Sequence, residues 1–160
     1  MLHSFFFETA ARQPRDHALW VDGRFYAYEE LRARAGRVSA ALAAHSGDGS
    51  RNCILFAHRS VCAYAGLLGV LAAGMAYVPL HPKFPPARNA AIVQRSGARV
   101  MVVDRACAAQ LVALMPLLPP YLRILLMDPE SLPATGCPGG GARFAPLPPA
   151  PLCMTRLGRP

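Results

Sequence analysis

The spacing of apolar positions changes several times along this chain, and each change marks an element. Leu2, Phe5, Phe6 and Thr9 or Ala10 fall at helical spacing, predicting a short amphipathic helix that ends near Pro14. Between Ala18 and Ala27 the pattern alternates, and Asp22 and Gly23 split it into two short strands, Ala18 to Val21 and Arg24 to Ala27, a hairpin. Leu31, Ala35, Val38 and Leu42 then share one face of a helix, with Arg32, Arg34 and Arg37 largely elsewhere. Gly47 to Ser50 reads as a turn. Beyond it, short apolar runs (NCILFAH, AYVPL, ARVMVVD and RILLM) alternate with helical stretches, one from Val61, one over about Ala87 to Ser96 and one near Ala106 to Leu114. Strands alternating with helices of this length predict βαβ units, hence an α/β fold with a largely parallel sheet covered by helices on both faces.

One run tests that picture. Val61 to Leu80, VCAYAGLLGVLAAGMAYVPL, carries no formal charge and is long enough for a helix to cross a bilayer. Its composition leans on alanine and glycine, which drive insertion weakly, and Arg51 and Arg59 before it balance Lys83 and Arg88 after it, so no orientation is specified. Its punctuation is that of two elements. Ser60 can cap a helix from Val61, Gly74 can end it in the left-handed conformation, and Pro79 can close a short strand, Ala76 to Val78. The run is expected to be a buried helix followed by a buried strand, with Tyr64, Leu67, Leu68 and Leu71 facing the core. Gly66 and Gly69 would let a neighbouring element approach closely.

Composition narrows the function classes. Of 160 residues, 53% are hydrophobic and 16% charged, enough for one sizeable core. The net charge of +8 comes almost wholly from arginines spread between Arg12 and Arg159 without a basic run or interleaved aromatics, so no nucleic-acid partner is expected. Cys53, Cys62, Cys107, Cys137 and Cys153 are widely spaced and never form CxxC, which excludes an obvious zinc site or disulfide framework and suits a reducing compartment. MLHSFFFETAARQPRD has no basic n-region and reaches Glu8 after a short apolar run, so no secretion signal is expected and the location is read as cytoplasmic.

Chemistry-bearing motifs are few. Gly69 and Gly74 have the glycine spacing of a phosphate loop, but Met75 and Ala76 stand where lysine and a hydroxyl residue would act, and Gly136 and Gly141 are followed by Ala142 and Arg143. The histidines, His3, His17, His45, His58 and His81, are isolated, and the His58 to Cys62 spacing reads as packing rather than a base and nucleophile. Asp104, at the end of a strand, could contact a ligand or cap the following helix, and capping is the expectation.

The order of segments nevertheless resembles a family. FYAYEELRARAGRVSAAL is similar to the first core motif of adenylation domains in the adenylate-forming enzyme superfamily. LAAGMAYVPLHPKFPPAR, from Leu71 to Arg88, closely resembles the second, and QRSGARVMVVD resembles the segment that follows it in the amino-acid-activating domains of nonribosomal peptide synthetases. The likeness covers residues 1 to about 128. Ala27 departs from the usual Ser or Thr, and His81 from the usual Asp.

Such enzymes use ATP, with Mg, to convert a carboxylate to an acyl-adenylate and pyrophosphate, then pass the acyl group to a phosphopantetheine thiol. The resemblance implies that residues 1–128 are an incomplete N-terminal α/β subdomain. Residues 129–160, dense in proline and glycine, are expected to be a disordered or linker tail. The family's phosphate loop, nucleotide contacts and catalytic lysine follow these motifs; TRLGRP, from Thr155, lacks that loop's pattern. No residue is therefore assigned a catalytic, cofactor-binding or metal role, and the chain is expected to bind no cofactor and to be inactive alone. The implied partners are the rest of the domain or a synthetase with a carrier protein, with no membrane. The alternative is a non-catalytic α/β module that binds a partner or a complementing fragment.

Overall fold

A computed structural model describes residues 2–44, 49–127 and 144–146. The chain opens with helix α1 (Leu2–Arg12), the hairpin strands β1 (His17–Val21) and β2 (Arg24–Ala27), and helix α2 (Tyr28–Ala43). Asp22 and Gly23 both take positive φ, 53° and 72°, the pair of left-handed residues that a tight two-residue hairpin turn requires. Strand β3 (Asn52–Phe56), helix α3 (Val61–Ala72), strand β4 (Ala76–Leu80), helix α4 (Pro86–Ser96) and strand β5 (Val100–Asp104) follow. A 3-10 turn, Arg105–Cys107, leads into α5 (Ala108–Leu114), a second one, Met115–Leu117, follows it, and β6 (Arg123–Met127) and β7 (Phe144–Pro146) complete the described elements.

The five sheet strands run in the order β4-β3-β5-β6-β7, every neighbouring pair parallel. Strand alternation sends Cys53, Leu55, Val100, Val102, Leu125 and Met127 to one face, where they meet α2 and α3 through Val38, Leu42 and Val70. Ile54, Phe56, Met101, Val103, Ile124 and Leu126 point the other way, onto α4 and α5 through Val93, Leu111 and Leu114. The predicted α/β fold with both faces covered is therefore the observed one. On α2, Leu31, Ala35, Val38 and Leu42 are buried as their spacing requires.

The uncharged run resolves into α3 and β4, with two corrections. Ser60 caps α3, its hydroxyl oxygen accepting the Ala63 amide at 3.3 Å, and Gly74 ends it at φ 71°. The Gly74 amide donates to Leu71 and the Met75 amide to Val70, closing the helix in a Schellman motif. The buried face, however, is the small one, Cys62, Ala65, Gly66, Gly69 and Val70, whereas Tyr64, Leu67, Leu68 and Leu71 are only partly buried. A Cβ on Gly69 would lie 2.5 Å from the Val38 Cβ, and one on Gly66 would lie 2.7 Å from Leu55 Cδ1. Close approach selected the glycine face over the leucine face.

The second correction concerns β4, which is an edge strand and mostly exposed rather than buried. It continues through Pro79, in register with Leu55, to Leu80. An edge tolerates the missing proline N–H, because the donor on its open side has no ladder to join. No helix among the described residues is long and apolar enough to cross a membrane.

The predicted turn at Gly47–Ser50 lies partly outside the described residues, as do Cys137, Cys153, the Gly136 to Gly141 spacing, TRLGRP and the 129–160 tail apart from Phe144–Pro146. Those three residues pair in parallel with β6.

Candidate functional site

Neighbouring strands β3 and β5 send their following helices to opposite faces of the sheet, α3 to one and α5 to the other. Their carboxyl ends therefore flank a topological switch point, the place where open α/β sheets take ligands. Two loops meet there, Ala57 to Ser60 and Asp104 to Cys107. Asp104 is 3% exposed, a costly position for a carboxylate unless both oxygens are paired. Oδ1 accepts the Ala106 amide at 3.1 Å and Oδ2 accepts the Ser60 hydroxyl at 2.5 Å. The expected capping role is what the structure shows, with an added bond to a residue 44 positions earlier.

That bond makes Ser60 a double agent. Its oxygen caps α3 while its proton goes to Asp104, so it is a latch between the two loops rather than a nucleophile awaiting a base. Cys107, beside it, is no better suited to attack. Burial and the nearby Asp104 carboxylate push its thiol up to about 12, only partly opposed by a hydrogen bond from the His58 backbone. Cys53 is likewise pushed up to about 12 by burial. Cys62 is buried on the packed face of α3, and His58 is partly buried in the loop after β3. Arg59 and Arg105 are exposed on the two loops.

A divalent cation has no seat here. Asp104 is the one buried carboxylate among the described residues and has both oxygens engaged, and no three metal-capable side chains of the described residues cluster. The residues present do not fit Mg.

The second ordered feature is the turn after β4. His81 Nδ1 accepts the Lys83 amide at 3.2 Å, the His81 carbonyl accepts from the Phe84 amide at 3.0 Å and from Asn89 Nδ2 at 3.1 Å, and the Arg88 guanidinium lies 4.0 Å over the Phe84 ring. An aspartate would accept the same amide two residues on, so His81 keeps the function of the usual residue with a ring nitrogen. Pro86 starts α4 at the position that needs no N–H, and Gly97 ends it at φ 62°. Sequence reasoning missed the His81 to Asn89 clasp; an amide side chain in the first turn of a helix beside a proline-rich loop was its only signal.

The model of the AMP-binding enzyme family matches residues 6–151. The chain belongs to the AMP-binding enzyme family. It is 30% identical over 137 residues, 85% of its length, to tyrocidine synthase 3 of Brevibacillus parabrevis, and 33% identical over 109 residues to surfactin synthase subunit 2 of Bacillus subtilis. Among solved structures it resembles IdnL7, with a TM-score of 0.73 and 30% identity over 92% of this chain. It also resembles the nonribosomal peptide synthetase FmoA3 in its form bound to α-methyl-L-serine-AMP, with a TM-score of 0.71 and 26% identity over 84%. The chain spans 2% and 3% of the two curated relatives and 28% of IdnL7, so it corresponds to part of an adenylation domain. The two quoted motifs therefore identified the family correctly.

Proposed function

We propose that this chain is the N-terminal α/β part of an ATP-dependent ligase that activates a carboxylate, an amino acid, for a nonribosomal peptide synthetase, and that it performs no adenylation by itself. The observation that carries the proposal is the pairing of the family's second-motif turn, closed by His81, Phe84 and Asn89, with a switch point whose carboxylate accepts a hydrogen bond on each oxygen from the fold itself. Adenylation needs cations and donors arranged around the α-phosphate during displacement. In this reading residues 1–128 carry the α/β part, and residues 129–160 form a Pro/Gly-rich connection that contributes Phe144–Pro146 to the sheet. ATP, Mg and a carrier protein belong to the complete enzyme. The buried cysteines Cys53, Cys62 and Cys107, none of them in a disulfide, support a reducing, cytoplasmic location.

The test is amino-acid-dependent exchange of pyrophosphate into ATP. The full chain alone should exchange at the rate of the buffer for every proteinogenic amino acid; exchange above that rate for any of them would overturn the proposed inactivity.

A second reading, a non-catalytic module for a partner or complementing fragment, is favoured by the hairpin. Trp20 and Phe25 are 57% and 50% exposed, and Phe25 stacks on His17 at 4.2 Å, an uncovered aromatic row. A chain that binds no apolar dye and remains monomeric at high concentration would count against it.

A further inference from the structure

A cavity of about 120 Å³ lies between the second-motif turn, α4 and α5, apart from the switch-point loops. Phe56, Pro82, Phe84, Pro86, Ala113 and Leu114 give it apolar walls, and no charged side chain lines it. Two amides complete the lining. Asn89 is 2% exposed, and its Nδ2 bond to the His81 carbonyl fixes the amide's orientation, leaving Oδ1 as an acceptor with no donor. Gln110 Oε1, also sealed from solvent, has none either. A buried acceptor left unpaired costs about 1–3 kcal/mol. Two on one small apolar cavity define what the space would take.

We propose that this cavity binds a small uncharged molecule that presents an N–H donor from a planar apolar body of single-ring size. The acceptors require a donor. The absence of a lining carboxylate disfavours a cation, and an anion would meet two carbonyl oxygens. Phe84 and the prolines offer flat walls to a ring. An apolar cavity of roughly 150 Å³ accommodates benzene, so a five-membered ring is the matching scale. Nothing in the ligase reading requires or excludes this site.

Pyrrole and furan are matched probes: they have nearly the same size, and only pyrrole carries an N–H. In ¹⁵N spectra of the full chain, pyrrole should shift the side-chain amide signals of Asn89 and Gln110 saturably. It should bind about five-fold more tightly than furan, the preference expected of one neutral hydrogen bond. Gln110→Met keeps the length and helix propensity of the half-buried side chain but deletes its acceptor, and should cut that preference to two-fold or less. Equal affinities for the two rings would overturn the proposal. So would the absence of saturable shifts with water still exchanging in the cavity, or a preference unchanged in Q110M. The wild-type comparison stands even if Q110M fails to fold.

Discussion

Substituting Gly69 by alanine should destabilise the fold, although alanine is the better helix former. A glycine in a helix interior costs about 1 kcal/mol relative to alanine, so propensity alone predicts a gain. The new Cβ, however, would sit 2.5 Å from the Val38 Cβ and 2.7 Å from the Ala35 carbonyl oxygen. Carbon atoms pack at about 3.5–4.0 Å, so α2 must retreat by about 1 Å, and a gap of that size forfeits a quarter to a half of each dispersion contact it opens. The Ala35 oxygen belongs to the backbone and cannot rotate away. Overpacking costs about 1–3 kcal/mol, and spreading the retreat along the α2–α3 seam places this case at the upper end, a net loss of roughly 2 kcal/mol after the helix gain. Two controls separate packing from propensity. Gly66→Ala meets Leu55 Cδ1 at 2.7 Å, the end of a flexible side chain, and should stay within about 1 kcal/mol of the parent. Gly36→Ala, in α2, meets nothing within 4 Å and should stabilise by about 0.5–1 kcal/mol. Urea unfolding followed by circular dichroism, at equal slope, should rank the midpoints G36A, parent, G69A, with G69A lower by about 1 M. A G69A midpoint at or above the parent would refute the close-packing account of α3.

Ala27→Ser should stabilise the chain by about 1 kcal/mol, because Ala27 holds the extended N-cap position (φ −73°, ψ 159°) with no acceptor; thermal unfolding should show a higher midpoint. Glu30 already supplies the reciprocal half, accepting the Ala27 amide at 3.0 Å. His81→Asp should be tolerated, whereas His81→Ala should lose about 0.5–1 kcal/mol with its acceptor for the Lys83 amide, read from the same unfolding curves. Cys53 and Cys107 have thiols raised from 9.0 to about 12 in the folded chain. A raised value means that the folded state keeps its proton longer, so their contribution to stability is complete below about pH 9 and declines as the pH climbs from there towards 12. Alkylation at pH 8 followed by peptide mass mapping should leave both unmodified until urea is added; rapid native-state labelling of either would contradict their burial.

Four of the five sheet strands were legible because they are short apolar runs with punctuation at both ends, and period-two alternation then assigns Leu55 and Phe56 to opposite faces without further information; Phe144–Pro146, inside a Pro/Gly-rich segment, carried no such signal. The packed face of α3 was not. Hydrophobic spacing favoured Tyr64, Leu67, Leu68 and Leu71, but the contact with α2 is governed by how near two backbones can come, and that selects residues with little side chain. Pro79 misled for a related reason: whether a proline ends a strand depends on whether the strand is an edge, and edge position is a property of strand order. The Ser60–Asp104 bond joins residues 44 positions apart, and its signal existed only in the order of the βαβ units.

That bond also bears on what the chain would bring to the proposed ligase. A switch point opens a crevice because its two loops leave in opposite directions, and loops that diverge are free to spread. Here a buried carboxylate accepts from both, from Ser60 at the start of α3 and from Ala106 in the turn before α5, so spreading them would strand a charge in an apolar setting. The spacing of the crevice is thereby set by the fold. The same two bonds occupy one lone pair on each oxygen of the one buried carboxylate among the described residues. In the ligase reading proposed above, the chain's contribution to an adenylating centre is a floor whose two loops this bond joins, flanked by the exposed side chains of Arg59 and Arg105. In that reading the groups that stabilise charge at the α-phosphate come from other elements of the domain. Supplying those elements to the full chain, rather than altering residues at the switch point, is the change that should bring pyrophosphate exchange above the buffer rate.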